Sequence, residues 1–291
     1  MRRRRVLAAA VFVGVASCGG VAREVGAQVP TASGGVAPLV LQLRPHPGDL
    51  LRLRLDQTIE MGVSARAGDD TTAADVTSLV MLARLTVESS DLEGATVMAV
   101  ADSVRIENSG RYQSDVLRQA AALQGQRFRF RVAPDGATTV AGADAWAAPA
   151  VGSLLSQLPA TLPRDAVVPG ATWNRSVDIP LAATTDGRAT ATLTATFRFD
   201  SLSRSGEFAY LSMKGRLVRS GPMQPGVGGA SNGGFVQTSG SVTGSLLLDR
   251  RRGWIADART VIALKSLVSG RGKEAAPLRV RMKITQWMRV M

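Results

Sequence analysis

Between Arg188 and Val218 the chain reads RATATLTATFRFDSLSRSGEFAYLSMKGRLV, and this stretch restricts the fold more than any other. Ala189, Ala191, Leu193, Ala195, Phe197 and Phe199 alternate with Thr190, Thr192, Thr194, Thr196 and Arg198. Side chains on a strand point to opposite faces in turn, so a period of two makes a ribbon with one apolar and one wet side. Ser203-Arg204-Ser205-Gly206 supplies turn chemistry, and Glu207 to Val218 returns with β-rich content. The unit is a long antiparallel hairpin, and a lone hairpin cannot bury its apolar side.

Similar units recur. Leu51, Leu53, Leu55, Ile59, Met61 and Val63 alternate with Arg52, Arg54, Asp56, Thr58 and Glu60. Val76 to Val87 and Ala95 to Ile106 read as strands joined by Ser89-Ser90-Asp91-Leu92-Glu93-Gly94. Arg127 to Val132 alternates strictly, and Ala133-Pro134-Asp135-Gly136 turns it into a brief strand over Thr138 to Ala141. Phe235 to Leu248 and Trp254 to Leu267 flank the turn Asp249-Arg250-Arg251-Arg252-Gly253. The last strand places Leu278, Val280, Met282, Ile284, Met288 and Val290 opposite Arg279, Arg281, Lys283 and Arg289. Asp144 to Leu158 carries a helical pattern, with Pro149 in its first turns, and Arg111 to Gln124 has room for a second short one. The expectation is a mainly β protein: about ten antiparallel strands and one short helix, in a curled sheet or open barrel with one side to be covered.

Two turn glycines, Gly94 and Gly206, stand 112 residues apart, and Gly136 and Gly253 stand 117 apart. The order of hairpin, long loop, strand, Asp-containing turn and strand repeats, so residues 50–165 and 166–291 read as two tandem similar halves.

The start of the chain speaks to compartment. Met1-Arg2-Arg3-Arg4-Arg5 is a basic n-region, and Val6 to Ala16 is an apolar run of signal-peptide length, too short to span a bilayer as a helix. Arg3-Arg4-Arg5-Val6-Leu7 also fits a minimal twin-arginine pattern. The only cysteine, Cys18, follows Val15-Ala16-Ser17 and makes a lipobox-like string, with acylation at Cys18 and residues 1–17 removed. The alternative is cleavage after Val25-Gly26-Ala27, which makes residues 1–27 the signal. Residues 18–49 are rich in Gly and Pro and read as a flexible tether, and residues 50–291 as the β-rich domain.

The net charge of +12 falls to +8 by either cleavage, since residues 1–17 hold four Arg and residues 1–27 hold five Arg and one Glu. The remaining arginines are dispersed on alternate strand positions, without interleaved aromatics, which is no footprint for nucleic acid. A solvated wet face near anionic lipid fits better.

Candidates for chemistry are few. The one histidine, His46, lies between two prolines in the tether, and one His with one Cys leaves no His/Cys zinc set. Asp69-Asp70 with Asp75 lacks the spacing of an EF-hand loop. Gly229-Ala230-Ser231-Asn232-Gly233 spells G-x-S-x-G, but its flanks are a Gly-rich loop and a strand, and no His follows. Gly270-Arg271-Gly272-Lys273-Glu274 fails as a P-loop at Glu274 and Leu267. Trp146, Trp173, Trp254 and Trp287 either line a pocket or seal a core edge. No catalytic residue, metal ligand or cofactor is assigned on these grounds, and Cys18 stands alone as a modification site.

The lipobox-like start, Pro134-Asp135-Gly136, the Pro169-Gly170-Ala171-Thr172-Trp173 pentad and the alternating strands after it resemble a family of exported bacterial β-rich (lipo)proteins of unknown function. The likeness covers roughly residues 50–291. The expected curled sheet is also similar in outline to periplasmic lipoprotein carriers, an analogy of fold alone.

The expected role is that of an exported cell-envelope scaffold, anchored through Cys18, that binds a lipid or other apolar ligand or an envelope protein without catalysis. Soluble periplasmic or secreted protein is the alternative location. The alternative roles are a structural or assembly component, an outer-membrane barrel, or a hydrolase using Ser231.

Overall fold

The computed structural model describes residues 37–64, 75–108, 124–140, 161–180, 190–222, 235–269 and 277–291. Within them lie eleven strands. β1 (Leu50–Ser64), β2 (Asp75–Asp91), β3 (Gly94–Asn108), β4 (Arg127–Val132) and β5 (Thr138–Val140) come from the first part of the chain. β6 (Thr172–Pro180), β7 (Thr190–Leu202), β8 (Phe208–Pro222), β9 (Phe235–Asp249), β10 (Trp254–Ser269) and β11 (Leu278–Val290) follow. All pairings are antiparallel, in one sheet of order β5-β4-β3-β2-β1-β11-β10-β9-β8-β7-β6. The sheet is open: β5 and β6 are its two edges and do not pair. The mainly β, curled antiparallel expectation therefore holds. The helix expected over Asp144 to Leu158 lies outside the described residues, as does nearly all of Arg111 to Gln124.

The alternation that predicts the strands also sets their faces. Leu193, Ala195, Phe197 and Phe199 are buried, while Thr192, Thr194, Thr196 and Arg198 are exposed. Leu51, Leu53 and Leu55 of β1 join the same interior. The convex face is wet and carries matched charges: Arg54 with Asp56, Arg84 with Asp102, Arg129 with Glu88 and Arg131 with Asp91, each at 2.8 Å. Lys283 meets Glu60 at 3.0 Å across β1 and β11. Such exposed pairs add little stability but keep the outside hydrated.

One end of the sheet is drawn together by tight turns. Asp91 accepts hydrogen bonds from the backbone N–H groups of Glu93 and Gly94, and Asp249 from those of Arg251 and Arg252. At Gly253 the turn takes φ of 60°, and a Cβ there would run into the backbone of Arg44. Glycine is the residue that meets both demands.

That end is plugged by coil. The tether read over residues 18–49 gives way to packed chain well before Leu50: Leu41 and Leu43 are buried in the main core, and Leu39 forms a bridge with Val167. The Leu43 N–H donates to the Pro134 carbonyl, the Arg44 N–H to the Gly253 carbonyl, and the Gly48 N–H to the Val87 carbonyl. Leu41 and Leu43 bury their side chains and Leu39 packs half-buried against the same core, while the backbone finds partners on three separate turns and strands, so no single sheet ladder marks the segment.

A second strap, Thr161 to Val168, lies beside it. Trp173 donates its indole N–H to the Thr161 carbonyl at 2.9 Å, and Arg175 reaches the Leu162 carbonyl at 2.6 Å. Trp173 stacks on Phe197 with ring centroids 6.0 Å apart. The resulting core draws on β1 to β4, β6 to β10 and both straps. Residues 50–165 and 166–291 are thus successive stretches of one sheet around one interior, each opening with a five-strand meander.

Candidate functional site

Strand direction divides the interior into two ends. The tight turns 92–93, 133–137, 203–207 and 250–253 lie at the end plugged by the straps. β1, β3, β6, β8 and β10 finish at the other end, and β2, β7, β9 and β11 begin there. Going along β1 toward it, Leu51, Leu53 and Leu55 are 6%, 3% and 2% exposed. Gln57, Ile59 and Met61 are half-buried, and Val63 is 40% exposed. β11 shows the same gradient in reverse, from buried Ile284 through half-buried Met282 and Val280 to Leu278 at 38%.

Two separate apolar walls stand at this open end. One comprises Leu55, Leu79, Met81, Ala101 and Ile106, with Val104 and Met288 packed against it. The other comprises Leu193, Leu217, Val242 and Leu264, with Met213, Ile262 and Met282. Between them runs a floor from β1 and β11, where Ile59 pairs with Ile284 and Met61 with Met282. Among the described residues, then, the open end is a cleft lined by Leu, Ile, Val and Met.

One row on this floor is polar. Gln57 pairs with Gln286, and Gln286 pairs with Thr260 on β10. Thr260 is followed across the sheet by Gly244, which leaves the row without a side chain at that point. On the plugged side of the row stand Leu55, Met288 and Ala258, and on the open side Ile59, Ile284 and Ile262. All three polar side chains are half-buried, and none has a hydrogen-bond partner among the described residues. Sequence reasoning missed them. The signal was present as two gaps in otherwise apolar phases, at position 57 of β1 and position 286 of β11.

The residues singled out from sequence are not brought together. Cys18, Trp146 and Ser231 lie outside the described residues, as do Asp69, Asp70 and Gly270 to Glu274. His46 is ordered and exposed at the plugged end, its backbone N–H donating to Asp49 at 2.9 Å. Asp75 is exposed at the start of β2. Trp173 and Trp254 are core residues. Trp287 lies on the convex face between the guanidinium groups of Arg289 and Arg259, 4.2 and 4.5 Å from its ring centre, and donates its N–H to Asp257. None of the three described tryptophans lines the cleft.

A shallow cavity of about 310 Å³ lies at the plugged end between Val40, Pro134 and Pro163. Its two charged groups, Arg164 and Asp135, are 3.6 Å apart and serve each other. No group of three or more His, Cys, Asp or Glu side chains placed to hold a metal occurs among the described residues.

Neither a family model nor a curated protein matches the chain. Among solved structures it is similar to DynF from the dynemicin biosynthesis pathway of Micromonospora chersina, at 8% identity over 90% of this chain and 92% of that one, with a TM-score of 0.22. A likeness of that size carries no argument about fold or function.

Proposed function

We propose that this protein is an exported β scaffold of the cell envelope that holds an apolar ligand in the open end of its curled sheet, without catalysis. The observation that carries this reading is the exposure gradient along β1 and β11: among the described residues, inward-facing apolar side chains grow more exposed toward the open end. Exposed apolar surface of this kind is costly in water and ordinarily marks a binding surface. The basic n-region and apolar run at residues 1–16 support export, and Cys18 is the point where an acyl anchor would attach.

The convex face argues for a water-exposed exterior. A membrane barrel presents an apolar band to lipid, whereas this sheet presents Arg54, Asp56, Arg84, Asp102 and Lys283 outward and leaves its edges unpaired.

The test is native mass spectrometry of the protein purified from cells under mild conditions. A bound apolar molecule of defined mass is expected, displaced by the more polar substitution Ile262→Glu in the cleft. A ligand-free protein that also takes up no apolar dye would end the proposal. The mass of the mature N-terminus in the same spectra reads out acylation at Cys18.

A further inference from the structure

The Gln57–Gln286–Thr260 row invites a closer account of what the cleft holds. Each of these side chains occupies a position that alternation assigns to the apolar interior, and each is flanked on the same face of its own strand by apolar residues two positions away. The other described interior positions of β1, β10 and β11 carry no charge. Two amides and a hydroxyl set side by side can donate and accept several hydrogen bonds. Half-buried and unpartnered, they keep access to solvent, so a ligand's polar group that replaces that water would meet free donors and acceptors. The plugged core beyond Leu55 stops a ligand from passing further.

We infer that the cleft binds an amphiphile with a single apolar chain and an uncharged hydrogen-bonding group, such as a hydroxyl, ester or amide, and that Gln57, Gln286 and Thr260 hold that group. The inference rests on the reading of the cleft as a site for an apolar ligand, and it adds the ligand's polarity and orientation. The uncharged group lies at the row and the chain runs toward the open end along Ile59, Met61, Ile284 and Met282. An ionised head would find donors there but no cation among the described inward-facing positions of these strands, and its burial would be unfavourable.

The experiment uses the full chain as produced by cells, a neutral apolar dye (N-phenyl-1-naphthylamine), and 1-dodecanol or dodecanoate at pH 8 as competitors. Methionine matches glutamine in shape and lacks its amide, so Gln57→Met/Gln286→Met removes the hydrogen bonds with little change in packing. This double variant should bind 1-dodecanol about tenfold more weakly and the dye no less tightly, as two lost net hydrogen bonds imply. Thr260→Val should give a smaller loss in the same direction. Unchanged dodecanol affinity in the variants, with dye and alcohol still bound, would overturn the polar row and leave the cleft reading standing. Dodecanoate competing as well as 1-dodecanol would overturn the uncharged head. If neither the native protein nor the variants take up dye or alcohol, the cleft reading itself fails, and the inference falls with it.

Discussion

The two ends of the interior are made largely of the same residue types on the same strands, yet among the described residues they differ in what covers them. At the plugged end Leu41, Leu43, Leu162 and Val167 arrive from outside the sheet and fill the space between its curled walls. At the open end the walls of β2–β3 and β7–β10 remain two clusters. At the plugged end burial thus depends on coil pinned across the opening. The pins are backbone hydrogen bonds at turns, such as Arg44 to Gly253 and Leu43 to Pro134. A β protein of this kind separates its stabilising part from its binding part along a single set of strands.

Substitutions should expose the difference. Phe199→Ala, at a side chain with 0% exposure, should lower unfolding free energy by about 3–5 kcal/mol in urea titration. Leu41→Ala in the first strap should cost about 2–4 kcal/mol by the same measurement, and a negligible change would show that the strap is not part of the core. Gly253→Ala should cost about 2 kcal/mol, from the left-handed φ together with the collision against Arg44. Met282→Ala at the open end should cost only about 1 kcal/mol while weakening uptake of an apolar dye. Should it destabilise as strongly as Phe199→Ala, the two ends are not distinct.

The smallest effect belongs to the convex face. Hydrogen bonding from Arg131, and then from the Glu93 N–H, holds the Asp91 carboxyl below its ordinary value of 3.8. A depressed carboxyl contributes stability above the unfolded-chain value and loses it as pH falls through the folded one. Asp91→Asn should therefore melt slightly lower than the native protein at pH 7, with the gap closing below about pH 4. A gap of the same size at pH 7 and pH 2 would show that the charge contributes nothing.

Much of this architecture was legible in the chain, because period two is a local property. Leu51, Leu53 and Leu55 announce a face without reference to any partner. The strap was hidden because its alternation is short and is followed at once by Pro45-His46-Pro47-Gly48, which reads as loop. The polar row was hidden for another reason. Gln57 and Gln286 become neighbours only through the pairing of the first strand with the last. Nothing local in either segment specifies that pairing, and a single glutamine in an apolar phase looks like noise until its partner is known.

That same pairing bears on how the protein comes into being. Because β1 pairs with β11, and Met291 donates its N–H to the Arg52 carbonyl, the middle of the sheet stays unzipped until residues 278–291 have been made. A chain emerging N-terminus first holds two unjoined five-strand pieces, each with a bare seam, and the seam is stitched only at the end. Closure of the sheet is therefore tied to the arrival of β11, and deleting residues 278–290 would remove the strand that joins β1 to β10.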